Sequence, residues 1–201
     1  MERKRPSKGE INLILEDAFK KNPGPWVKHS YIVGEIAEKI GKDLGLDKEF
    51  AYACGCLHDI GRINGFSYIK HILDGYRILE REYPDISKIC LTHSFPLKDI
   101  ETYLGEIDVS EEDYEFIRKY INECTYDDYD LLIQLLDSMV MGEGACLQEK
   151  RMIDVILRYG VNEYTVDNIK RQIEIKEYFE DRLNKSIYLY MEDVSKNTFG
   201  F

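Results

Sequence analysis

The sequence predicts an all-α fold, a helical bundle whose central helices are buried on more than one side. Three observations carry that expectation. Apolar residues recur at three- and four-residue spacing along most of the 201 positions. No stretch shows the period-two alternation of a half-buried strand. Pro23, Pro25 and Pro84 fall where periodic stretches end, as expected of residues that interrupt a helical ladder. A chain of this length can enclose a sizeable apolar interior as one domain, and no internal repeat or linker divides it.

Taken in order, residues 1–10 read as a flexible N-terminus and residues 11–201 as a single domain. INLILEDAF, residues 11–19, is a short helix stopped by KNPGPW. From His29 a stripe runs through Val33, Ile36, Ile40 and Leu44, with Ile32 and Ala37 interleaved. The next helix, about 48–58, carries Phe50, Ala53, Cys54 and Leu57 and stops near Gly61. SYIKHILDGYRILERE places His71, Gly75, Ile78 and Leu79 on one side, and Pro84 closes it. In DISKICLTH, Ile86, Ile89, Cys90 and His93 share a face. SFPLKDIETYLGEID is irregular and reads as a rim, and residues 110–122 are helical with acidic residues in the first turn. TYDDYD, with Asp127, Asp128 and Asp130, caps the apolar run LLIQLLDSMVM, which is interrupted by Gln134, Asp137 and Ser138. Amphipathic C-terminal helices follow over 147–195.

Composition excludes several classes. No segment approaches 18 uninterrupted apolar residues, so no membrane span is expected. The basic start, MERKRPSKGE, lacks the apolar region of a secretory signal, which leaves a cytoplasmic protein as the expectation. A net charge of −11 repels a phosphate backbone, so no nucleic-acid binding is expected; a homodimer stays open. The five cysteines are uneven in spacing and read as buried free thiols.

The chain has four histidines: His29, His58, His71 and His93. Each falls on the apolar side of a helix or at its end. A single buried histidine is an ordinary core residue, but four buried imidazoles and two carboxylates, Asp59 and Asp137, all need partners. A divalent cation satisfies all six at once, because it accepts imidazole nitrogen and carboxylate oxygen and keeps the aspartates ionised. Four imidazoles to two carboxylates favour iron, manganese or zinc over magnesium.

His29 with Ser30, LHDIGR from Leu57 to Arg62, and Asp137 in IQLLDSM follow one another in an order that resembles the HD superfamily of metal-dependent phosphohydrolases. His71 in KHILDGYRIL and His93 in LTHSF match two further histidines found in branches that hold two metals. The resemblance spans about residues 25–142. His93 is followed by Ser94 and Phe95, without the adjacent histidines and Gly-Tyr-Pro signature of the cyclic-dinucleotide branch. The ligand pattern is most similar to the small bacterial branch that splits symmetrical dinucleoside tetraphosphates, although the spacing from His93 to Asp137 is longer here.

The resemblance implies two divalent ions, with iron the first choice. Asp59 would bridge them, His29, His58 and Asp137 completing one site while His71 and His93 hold the other. It implies attack of metal-bound hydroxide on the phosphorus of a small phosphorylated metabolite, a nucleotide or dinucleotide. Arg62 is the expected phosphate contact and Lys98 a second, with segment 94–128 the expected wall of the pocket; Arg151 and Lys150 are weaker candidates, which like Lys28 read more readily as solvated. Two alternatives stand beside this reading. One is a mononuclear nucleotide monophosphatase in which His71 and His93 contact substrate. The other is a non-catalytic, metal-stabilised module that senses a nucleotide or binds a partner.

Overall fold

In the computed structural model, which describes residues 3–200, the first helix starts earlier than the sequence predicts. Helix α1, Lys8–Lys21, is launched by a capping box: the Ser7 hydroxyl accepts from the Glu10 N–H, and the Glu10 carboxylate accepts from the Ser7 N–H. Upstream, Arg3 pairs with Asp127 at 2.8 Å and Arg5 with Asp47 at 3.0 Å. Met1 and Glu2, which open the segment expected to be flexible, and Phe201 lie outside the described residues.

Helices α2, Pro25–Asp43, and α3, Lys48–Leu57, form the main antiparallel pair. Their backbones touch at two glycines. A Cβ on Gly55 would lie 2.6 Å from the Gly34 Cα, so neither position has room for a side chain. A short 3-10 turn, Ile60–Asn64, then leans on helix α4, Lys70–Leu79. That contact is tighter still, since a Cβ on Gly61 would stand 1.9 Å from the carbonyl oxygen of His71. These two glycine contacts bring His29 to His58 and Asp59 to His71.

Helix α5, Pro84–Thr92, packs beside α4, and helix α7, Asp128–Asp137, runs through the interior with Leu132, Ile133, Leu135 and Leu136 fully buried. Asp127 caps α7 as its sequence suggests, accepting from the N–H groups of Tyr129 and Asp130. Helix α6, Glu111–Glu123, covers a second, smaller core that includes Ile72, Leu91, Phe95 and Ile117. Ile78, expected on the buried side of α4, is 45 % exposed, because the face that docks runs through His71, Leu73 and Gly75 instead.

Helix α8, Gln148–Tyr159, and helix α9, Thr165–Leu183, close the bundle, with α9 docking on α7 through Ile175 and Phe179. A left-handed Asn184 ends α9, and helix α10, Val194–Phe199, follows. The amphipathic helices expected over 147–195 are thus α8, the long α9, a 3-10 turn at Ile187–Tyr190 and the start of a short terminal helix. No strand occurs among the described residues, where the β geometry is confined to a bridge between Val140 and Ala145. All five cysteines are free, four of them buried and Cys124 half-buried. No helix among the described residues is long and apolar enough to cross a membrane.

Candidate metal centre

Three helix C-termini converge on one point. His58 is the C-cap of α3, His93 the C-cap of α5, and Asp137 the last residue of α7. Such ends carry partial negative charge and unsatisfied carbonyls, so they favour a cation and offer acceptors. The imidazoles use those acceptors. The Nδ1–H of His58 donates to the Gly55 carbonyl at 2.7 Å, that of His93 to Cys90 at 2.9 Å, and that of His71 to Tyr68. Each bond fixes the tautomer and leaves the Nε2 lone pair facing inward.

The inward atoms form two groups whose ligand atoms lie within 4.8 Å of one another: His29, His58 and Asp137; and Asp59, His71 and His93. In the first, the Nε2 atoms of His29 and His58 are 3.3 Å apart, and Asp137 Oδ1 is 3.1 Å from His29 and 4.0 Å from His58. Ligands about 2.1 Å from a common ion are spaced by about 3.0–3.4 Å, so this group fits one ion with little adjustment. In the second, Asp59 Oδ1 lies 3.2 Å from His71 Nε2 and 3.7 Å from His93 Nε2. That oxygen is buried and receives no hydrogen bond from any protein donor. With the Nδ1–H of His71 committed to Tyr68, lone pairs meet there with no proton between them, a conflict that a cation resolves. The other Asp59 oxygen, Oδ2, lies 3.9 Å from His58 Nε2 and so faces the first group.

Burial pushes His93 down to about 3 and lowers His58 as well, so both are unprotonated at neutral pH. Burial works against ionised Asp59, but the charge of the Arg62 guanidinium overcomes it and holds the carboxyl well below its ordinary range. At Asp137 burial is likewise outweighed, chiefly by the hydrogen bond with His29. Neutral imidazoles and ionised carboxylates are the states a metal ion requires.

A cavity of about 660 Å³ opens over both groups. Arg62 lines it but reaches back, donating from Nε to Asp59 Oδ2 at 2.7 Å and approaching His71 Nε2 at 3.3 Å. The buried carboxylate draws in the guanidinium three residues along the same turn. Lys98, the second expected phosphate contact, is not brought to the cavity: it adopts φ 57° and its ammonium stands 5.3 Å over the Tyr126 ring. The expected wall, 94–128, contributes only its first part, including Ser94, Pro96 and Tyr103, while α6 is spent on the second core. The opposite wall is α8 and α9. Arg151, read from sequence as solvated, lines the cavity with Arg158, and both donate to Asp154 Oδ2, at 2.9 and 2.6 Å. Gln134, Asn168 and Gln172 also line it; of these only Gln134 carried a sequence signal, as a polar break in an apolar run.

A helical frame gathers four imidazoles and two carboxylates around one cavity, a donor set suited to metal ions. Residues 26–139 match the family model described as the HD domain. That match covers more than half of the chain, which belongs to the HD domain family of metal-dependent phosphohydrolases. Among solved structures, the chain is similar to the HD domain of the L. monocytogenes phosphodiesterase PgpH at 18 % identity, covering 85 % of this chain and 97 % of that one with a TM-score of 0.49. No curated protein matches it.

Proposed function

We propose that this HD domain hydrolyses a small phosphorylated metabolite, a nucleotide or dinucleotide, with two divalent ions, iron being the first candidate. The observation that carries the reading is the pair of ligand groups sharing one cavity, with the two oxygens of Asp59 turned toward different groups. His29, His58 and Asp137 would hold one ion and His71 and His93 the other, with Asp59 between. Ions so held supply Lewis acidity and an activated water for attack on phosphorus. The chain supplies the rest. Backbone carbonyls lock the imidazoles in the ligating tautomer, while Arg62 and Arg151 offer guanidinium donors to phosphoryl oxygens that reach outward. A cavity of about 660 Å³ suits a small ligand rather than a polymer. The dinucleoside-tetraphosphate branch remains the first substrate class to test.

The mononuclear alternative draws on one contact, the Arg62 guanidinium beside Asp59 Oδ2 and His71 Nε2, where it competes with a second ion. Elemental analysis after anaerobic reconstitution with iron or manganese separates the two readings, with two ions per chain expected. A reconstituted screen over nucleoside phosphates, dinucleoside polyphosphates, cyclic nucleotides and sugar phosphates should then return turnover that depends on added metal. A blank across that panel with two ions bound would refute the hydrolase reading and favour a nucleotide-sensing module.

A further inference from the structure

Four buried side-chain atoms among the described residues have no hydrogen-bond partner: Asp59 Oδ1, Gln134 Oε1, Asn168 Oδ1 and Gln172 Oε1. All four are acceptors, and all four residues line the same cavity. Buried acceptors without donors are costly and rare, so four on one cavity point to something that binds there. Asp59 belongs to the metal groups, and Gln134 sits one turn before Asp137 on α7. Asn168 and Gln172 are different. They lie one turn apart on α9, outside the residues 26–139 that match the family, and so form a separate subsite contributed by the C-terminal helices.

The orientation of Asn168 is set. One N–H of its Nδ2 donates to the Thr102 carbonyl at 2.9 Å, which pins α9 to the rim of the cavity and leaves the buried acceptor oxygen without a partner. An asparagine held this way presents its buried oxygen as an acceptor in search of a donor. A phosphate or carboxylate, itself an acceptor, would be repelled. What suits the subsite is a flat group with N–H donors on its edge and apolar faces, because Tyr103, Met152, Tyr159 and Ile169 line the same cavity. A purely polar sugar would satisfy the acceptors but leave those apolar surfaces wet.

We propose that Asn168 and Gln172 form a nucleobase subsite that reads an exocyclic amino group, so that the substrate is a nucleotide carrying an amino-bearing base. This rests on the phosphohydrolase reading for the placement of the phosphates, but it makes a claim about binding that can be measured without turnover.

The test uses the metal-loaded full chain and two matched ligand pairs that differ only in the amine: adenosine against purine riboside 5′-monophosphate, and guanosine against inosine 5′-monophosphate. Dissociation constants come from titration calorimetry. The expected result is that the amino-bearing member of at least one pair binds roughly ten- to hundredfold more tightly, the loss anticipated when a buried acceptor is left unpaired. Asn168→Leu and Gln172→Leu should each bring that ratio close to one, with folding checked by thermal unfolding. Equal affinity within both pairs in the unsubstituted protein would overturn the inference, since the acceptors would then be served by ordered water. A preference that survives both substitutions would overturn it too. The two readings fail separately. Hydrolysis of a generic substrate such as bis(p-nitrophenyl) phosphate, with no nucleotide binding, removes the base subsite and keeps the hydrolase. Amine-selective binding without hydrolysis of any phosphate ester does the reverse.

Discussion

On the wall of the cavity that carries the histidines and aspartates, three of the imidazoles are held by backbone carbonyls, and the helices that carry them touch through glycine. On the wall made by α8 and α9, position depends on the docking of amphipathic helices. Only Gln148 of α8 is buried, while Leu157 is 80 % exposed. Gln148 is the link between them, donating to Ser138 Oγ at 3.0 Å and to the Gln172 carbonyl at 3.2 Å. The contrast teaches a division of labour. Ligation of ions tolerates little displacement, and the candidate ligands sit at tight junctions, whereas the opposite wall rests on helices with largely exposed outer faces.

The largest effect that would test this contrast is at Asp59. Asp59→Ala should remove the ion held with His71 and His93, weaken the other as well and lower turnover by several orders of magnitude, whereas His93→Ala should weaken the first ion alone. If both variants lose the same single ion and retain the other equally, Asp59 does not bridge. Metal content per chain, measured beside turnover, decides it.

The junctions themselves come next. Gly61→Ala would force a Cβ against the backbone of His71 and Gly75, where no flexible side chain can give way. The expected cost is about 3 kcal/mol, or a fall of about 6–12 °C in Tm for a chain of this size. An unchanged melting curve would show that the turn is not clamped.

On the other wall, Arg151→Ala should raise KM about tenfold, the value of one hydrogen bond to a charged group, without changing metal content. Loss of metal in this variant would collapse the distinction between the walls.

The smallest effect is a pH dependence of the metal-free protein. His93 titrates near 3 when folded, against 6.5 for the ordinary side chain. Between those values the unfolded chain binds the proton and the folded one does not, so stability falls as pH drops from about 6.5 toward 3. His58, also lowered, acts in the same direction. Asp59 and Asp137, held below 3.8, add stability that is present above that value and lost beneath it. Each pH unit below 6 should cost on the order of 1 kcal/mol, read as a steady decline in Tm. A flat profile would mean that His93 is already protonated in the folded state.

The difference between the walls is also a difference in what sequence reveals. The six candidate ligand residues were legible because each sits inside or at the end of an apolar helical stretch, where a charged or titratable group has no ordinary reason to be. The helices themselves followed from periodicity, with ends displaced by caps such as Ser7–Glu10. Asn168, Gln172 and Arg158 were not legible. On an amphipathic helix, neutral amides and arginines look like a solvated face, and only the docking of α8 and α9 over the cavity gives them another role. Lys98 misled for the converse reason. Its place in an irregular segment after His93 put it near the site in sequence, but a left-handed turn carries it to Tyr126.

The contact between Gly34 and Gly55 has a consequence for anyone who wishes to alter this protein. Because α2 and α3 meet main chain to main chain there, they cannot draw closer when the side chains around the contact are made smaller. Cys54 can therefore be exchanged for a smaller apolar residue, removing an oxidisable thiol, without α2 closing on α3, whereas a larger residue at Val33, Cys54 or Leu57 would push the helices apart. The spacing of His29 and His58 is thus guarded against compression and exposed to expansion.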